Sequence, residues 1–172
     1  DGARCVLFEN DRLELKPVGA DRALGTWTFT NSLLAKCLVN HHGSRLVIVK
    51  SSAAGPGLHA QLWDCALGQA RGAPVPTDRS EGVRAVNAAG DLALLQTGGR
   101  TVVWHFEEAS AWLTLPARPA VAAFDPAGQR LAWAVSNRVE VWALSASGSR
   151  QLAGWKESAP VQSLVWSPEG RR

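Results

Sequence analysis

The sequence has no methionine, only three cysteines, and charged side chains at just 19% of its 172 positions. Each shortage excludes something. Cys5, Cys37 and Cys65 are odd in number and irregularly spaced, so they specify no disulfide framework. Two of them stand inside apolar runs, where cysteine packs as a small hydrophobe, and a reducing, cytoplasmic setting is the expectation. No apolar run approaches the roughly 18 residues of a membrane-spanning helix, and no secretory signal is visible. No segment carries the apolar period of an amphipathic helix. The low charge does not mean disorder, because hydrophobic residues make up 46% of the chain, enough for a packed core. A chain that opens on Asp1-Gly2 and holds no methionine reads as a segment of a longer protein.

Reactive constellations are equally scarce. There is no nucleophile elbow and no phosphate loop: Gly98-Gly99 is a hairpin turn, and Gly55-Pro56-Gly57 has no following Lys-Ser/Thr. Glu107-Glu108 reads as a solvated loop rather than a catalytic pair. His41-His42 lies in a turn without a Cys or carboxylate at ligand spacing, so no metal site is expected there. No cofactor is implied, and catalysis is not expected. The net charge of +3 comes from scattered Lys and Arg, a distribution that permits an acidic partner without indicating nucleic acid.

What the chain does have is a repeat. Gly2, Gly43, Gly90, Gly128 and Gly170 recur at intervals of 41, 47, 38 and 42 residues. After each of the first four comes an apolar run: Cys5 to Phe8, Leu46 to Val49, Leu92 to Leu95, and Leu131 to Val135. Before each of the last four comes another: Cys37 to Val39, Val83 to Val86, Val121 to Phe124, and Leu164 to Trp166. The linkers between paired runs begin with Asn40, Asn87, Asp125 and Ser167 and end on the glycine, which is turn chemistry. A third strand follows at Leu13 to Leu15, Ala60 to Trp63, Thr101 to Phe106 and Val139 to Trp142. Arg138-Val139-Glu140-Val141-Trp142 alternates with strand period. A weaker fourth strand closes each unit, over 25–30, 70–75, 111–115 and 150–155. The prolines in the second of these suit an outermost strand. Ser51 to Leu58 reads as a long irregular loop.

Four short strands every 42 residues or so is the pattern of propeller blades. The chain resembles WD-repeat β-propeller proteins. The Trp-Asp dipeptide that ends the third strand stands intact at Trp63-Asp64, while Trp104 and Trp142 hold the same place followed by His105 and Ala143. Residues 124–131 and 166–172 are similar to the first hairpin of such repeats. The Gly-His pair of the family is missing, so its His–Asp network is not expected, and the repeats are degenerate. The expected fold is all-β, with about four four-stranded antiparallel blades belonging to a larger ring. Their boundaries are approximately 1–30 completed by 160–172, then 33–76, 82–116 and 120–156. Trp63, Trp104 and Trp142 are expected between blades.

The resemblance implies a non-catalytic platform for protein binding or ligand sensing within a signalling or scaffold protein. Two alternatives stand beside it: a propeller enzyme or cofactor-binding domain, and a structural module that completes a ring by self-association or with further blades. In such rings one face is built from the loop entering each innermost strand and the turn between second and third strands. Here that face carries Arg79, Arg100, Arg118, Asn137, Arg138 and Lys156, a basic rim suited to an acidic protein or peptide. No membrane partner is implied.

Overall fold

The computed structural model describes residues 4–9, 12–17, 19, 21–23, 25–29, 34–40, 42–52, 55–78 and 82–170. Among them are fifteen strands in four antiparallel sheets and no helix. The first sheet has three strands, β1 (Arg4–Glu9), β2 (Arg12–Pro17) and β3 (Gly25–Thr28), in that order. The second holds β4 (Leu34–Val39), β5 (Arg45–Ser52), β6 (Gly55–Asp64) and β7 (Gln69–Thr77). The third holds β8 (Val83–Val86), β9 (Leu92–Thr97), β10 (Arg100–His105) and β11 (Ser110–Leu115). The fourth holds β12 (Val121–Phe124), β13 (Arg130–Val135), β14 (Arg138–Ala143) and β15 (Arg150–Lys156). Every sheet is a simple meander, with sequence neighbours hydrogen-bonded to one another. This is the blade architecture that the repeat predicts.

The register explains why the glycines recur. In each four-stranded sheet the residue four before the turn glycine faces the residue three after it: Val39 with Leu46, Val86 with Ala93, and Phe124 with Leu131. A turn this tight needs backbone that only glycine adopts cheaply; Gly90 has φ +81° and Gly128 φ +71°. The Asn or Asp that opens the turn caps it from inside. The Asn87 side-chain oxygen accepts hydrogen bonds from the backbone N–H groups of Gly90, Asp91 and Leu92 at 2.9–3.1 Å. Asp125 does the same for Gln129 and Arg130 at 2.7–2.8 Å, and Asn40 for Ser44 and Arg45 at 2.9–3.0 Å.

Apolar side chains from adjacent sheets fill the gaps between them. Leu13 of the first sheet and Phe29, just after β3, pack with Leu46 and Ile48 of the second. Val47, Val49 and Leu62 of the second pack with Val83, Leu95 and Val102 of the third. Leu94, Val103 and Leu115 of the third pack with Leu131 and Trp133 of the fourth. No core cluster among the described residues joins the first sheet to the fourth.

Trp63, Trp104 and Trp142 stand where the sequence places them, each against the preceding sheet. They are only half-buried, because each sits near the edge of its core. Ser51 to Leu58 departs from expectation. Rather than a long loop, it extends the β5–β6 ladder through Ser51 opposite Leu58 and on to Ser52 opposite Gly55, with a bulge between. Asn10-Asp11, a pair that suits the hairpin turn ahead of the strand at Leu13, lies outside the described residues.

Asp64 and His105, which end the third strands of their blades, bond to the turns that follow. Asp64 accepts the backbone N–H groups of Ala66 and Leu67 at 2.9 and 3.1 Å and pairs with Arg71 at 3.2 Å. His105, standing in the position of the Asp, accepts the Glu108 N–H at its Nδ1 (3.0 Å) and stacks on Trp112 with ring centroids 4.6 Å apart.

Candidate partner-binding face

The up-and-down run of each blade sends its turns to two opposite ends. At one end lie the turns between first and second strands, with Gly43, Gly90, Gly128 and Gly170, and the turns between third and fourth. At the other end lie the turns between second and third strands and the loops that lead into the next innermost strand. Arg100, Arg118, Asn137, Arg138 and Lys156, five of the six rim residues named from sequence, belong to this second end. Arg79 lies outside the described residues. Arg100, Arg118, Arg138 and Lys156 are exposed, and Asn137 is partly buried.

Short contacts hold this end in shape. Asp78 Oδ2 accepts the Gly99 N–H at 2.8 Å, tying the loop after β7 to the β9–β10 turn of the next blade. The Asn137 side-chain amide donates to the Glu157 carbonyl at 2.9 Å. Ser136 adopts φ +53°, so the turn presents Asn137 and Arg138 in a fixed conformation. Arg138 is not a free cation: it pairs with Glu140, whose side chain is buried, at 2.6 Å.

The sequence reading missed Arg84, the lone charged residue in an innermost strand of the third sheet. Its Nη1 donates to the Pro119 carbonyl at 3.3 Å, across the blade boundary and one residue from Arg118. Arg84 thereby lines a cleft of about 320 Å³ together with Pro119 to Ala122, Gln162, Ser163 and Leu164. A cation inside an otherwise apolar innermost strand was the available signal.

The larger cleft, about 740 Å³, opens at the opposite end. The innermost-strand residues Val86 and Phe124, Trp166, and the turn residues His42, Asn87 and Asp125 are among those lining it. Among the described residues, no three His, Cys, Asp or Glu side chains come together as a metal site would require. No helix among them is long and apolar enough to cross a membrane.

A sequential array of antiparallel meander blades packed face to face defines a partial β-propeller. No family model and no curated protein matches the sequence. Solved structures do. One is a functionally unknown protein from Desulfotomaculum acetoxidans DSM 771, with a TM-score of 0.62 at 11% identity over 96% of this chain. Another is a chain of a mitotic checkpoint complex, with a TM-score of 0.57 at 15% identity over 94% of this chain. At such identities the likeness shows the fold alone. The chain spans about half the length of these structures, 56% and 51% respectively.

Proposed function

We propose that the chain is a non-catalytic, WD-type protein-interaction platform of the cytoplasm, part of a signalling or scaffold assembly. An acidic peptide segment of the partner would dock on the rim that carries Arg100, Arg118, Asn137 and Lys156. The observation behind this reading is Arg84, whose guanidinium donates to the Pro119 carbonyl in a cleft between innermost strands, next in sequence to the rim residue Arg118. A guanidinium held by a backbone carbonyl at the mouth of a cleft is oriented for a carboxylate, which it can engage through two parallel hydrogen bonds. A rigid blade array with its loops gathered at one end is also the arrangement in which recognition residues concentrate. That one structural neighbour belongs to a protein complex agrees with this class of function.

The test is binding of a labelled oligoglutamate peptide, with oligoglutamine as control. The expected result is glutamate-selective binding that weakens with salt. It should fall about tenfold or more in the Arg100→Glu/Arg118→Glu double variant, the loss of at least ~1.4 kcal/mol. Equal binding by the double variant, or of both peptides, would remove the proposal.

A second reading, a cofactor-binding propeller, draws on the larger cleft with Phe124, Trp166 and Asp125 in its wall. Elemental and absorbance analysis of the purified protein separates the two, since a stoichiometric bound metal or chromophore would favour the second.

A further inference from the structure

The two clefts adjoin. Arg84, Ala122 and Leu164 stand at one register position, six residues before their turn glycines, and all line the smaller cleft of about 320 Å³. Ala85, Ala123 and Val165 stand one position further on and line the larger cleft of about 740 Å³. Leu164 lines both. The clefts therefore meet along β8 and β12, with the loops that enter these strands at one extremity and the glycine turns at the other.

Their chemistry differs. At the smaller cleft, Arg84 is the extra residue of a β-bulge, since Val83 faces Leu95 and Ala85 faces Leu94. A bulge re-aims the side chain it carries, and the Arg84 guanidinium reaches across the blade boundary to the Pro119 carbonyl at 3.3 Å. Gln162 and Ser163 add an amide and a hydroxyl to the same lining. None of the described residues lining this cleft is acidic. A guanidinium set in such a place takes a carboxylate through two parallel hydrogen bonds.

The larger cleft is mostly apolar. Val86, Phe124 and Trp166 share the fourth position before their glycines and form its wall. Trp166 is held in place, because its Nε1 donates to the Ala123 carbonyl at 3.0 Å and the Arg130 guanidinium lies 4.9 Å over its ring. Ala85 and Ala123 leave room where β4 carries Leu38 at the corresponding position. The acidic residue in this lining, Asp125, is spent on its own turn. Its carboxylate accepts the Gln129 and Arg130 N–H groups and pairs with the Arg130 guanidinium at 2.9 Å, and its side chain is 1% exposed.

We infer that the joined clefts bind a small amphipathic carboxylate, with its head on Arg84 and its apolar body against Val86, Phe124 and Trp166. Both volumes are those of small-molecule sites, which combine apolar walls with a few convergent polar groups. From Ala122 to Asp125 the wall runs about 10 Å, at about 3.3 Å per residue, which suits a medium-length acyl chain. Burial of that chain supplies affinity. Charge sets its direction, since the reverse orientation would bring the carboxylate beside Asp125 and leave the chain against Arg84. The inference does not rest on the peptide reading, with which it shares only Arg84.

The probe is decanoate, titrated calorimetrically into the chain at neutral pH. Stoichiometric binding is expected, about tenfold or more tighter than that of acetate, which lacks the body, or of decyltrimethylammonium, which keeps the body and reverses the charge. Arg84→Gln should weaken decanoate binding about tenfold or more without weakening that of decyltrimethylammonium. The double variant Ala85→Leu/Ala123→Leu fills the cleft with the side chain that β4 already carries at this position, so the far-UV spectrum should not change while decanoate binding falls by a similar factor. The Trp166 indole N–H resonance, assigned by its loss in Trp166→Phe, should shift on addition of decanoate. Oligoglutamate binding should survive Ala85→Leu/Ala123→Leu. Failure of decanoate to bind at millimolar concentration, equal binding of the two long-chain probes, or wild-type affinity in either folded variant would overturn the inference. Any of these with glutamate-selective binding retained would leave the peptide reading standing, and loss of that selectivity with decanoate binding intact would remove the peptide reading alone.

Discussion

The side-chain amide of Asn40 donates to the carbonyl of Ala88 at 3.0 Å, across the boundary between the second and third sheets. It thereby links the cap of one blade's turn to the backbone of the next blade's turn. The same residue, through its oxygen, holds Ser44 and Arg45 in its own turn. Turn geometry within a blade and stacking between blades are one structure, and the glycine is where they meet. Blade spacing is therefore set at the turns as much as in the apolar core.

Gly90→Ala should expose this coupling. Alanine at φ +81° costs about 1–2 kcal/mol for its left-handed backbone. Its Cβ would also sit 2.8 Å from the Arg45 Cβ and 3.1 Å from the Asn40 Cβ, atoms close to the backbone that cannot swing away. Gly98 is the internal control, with φ +55° but nothing within 4 Å of a Cβ. Urea unfolding should show Gly98→Ala losing the backbone cost alone and Gly90→Ala losing about 2–4 kcal/mol in all. Equal losses would mean the blade boundary yields freely.

The tryptophans make a second contrast. Trp63 Nε1 is buried with no hydrogen-bond partner among the described residues. Trp142 Nε1 donates to Glu140 Oε2 at 2.9 Å, and Glu140 is 3% exposed. Trp63→Phe loses ring volume but also an unsatisfied donor, so its cost should stay near ~1 kcal/mol. Trp142→Phe takes a partner from a buried carboxylate, worth about 1.5–3 kcal/mol for a bond to a charged group. Tm shifts measured side by side should place Trp142→Phe well below Trp63→Phe. The reverse order would contradict the assignment of the indole bonds.

Much of this fold was legible because blades are local. The Gly43, Gly90 and Gly128 turns, the alternation through Val139 to Trp142 and the prolines of β7 each report on pairing between sequence neighbours. Ser51 to Leu58 misled for the opposite reason. Ser and Gly there resemble loop composition, but the bulge between Ser51 and Ser52 lets the ladder run on past residues that propensity would exclude. At the rim, Arg100 and Arg118 could be placed from topology alone. Arg84 could not, because its significance comes from Pro119 in the following blade's loop, and no local pattern encodes a contact across 35 positions.

Acid should weaken the fold partly through Asp64. The backbone N–H of Leu67 holds this carboxyl below its ordinary pKa; the Ala66 N–H and Arg71 act in the same direction, and partial desolvation opposes them. A carboxylate with a depressed folded pKa contributes stability above the unfolded value, near 4, and loses it as pH falls through the folded value. Unfolding midpoints for the wild-type chain should drop between pH 5 and the acid limit, about as the linkage relation requires. Asp64→Ala should start lower at neutral pH and fall less steeply over that range. Parallel curves for the two proteins would remove Asp64 from the acid response.

Cys37 gives the alkaline counterpart. Burial, reinforced by neighbouring Cys65, pushes its thiol up to about 12. In the unfolded chain a cysteine ionises near pH 8.5. Above that value the unfolded state releases a proton that the folded state keeps, so stability must decline as pH rises from about 8.5 toward 12. Below it the group has no effect. Because the thiolate is the nucleophile, Cys37 should resist iodoacetamide at pH 8 in the native protein and react once urea unfolds it, with peptide mapping identifying the site. Cys37→Ala should flatten the stability curve above about pH 9. Rapid native labelling at Cys37, or an alkaline decline unchanged by the substitution, would show that its surroundings are wetter than the packing around Ile48 and Trp63 implies.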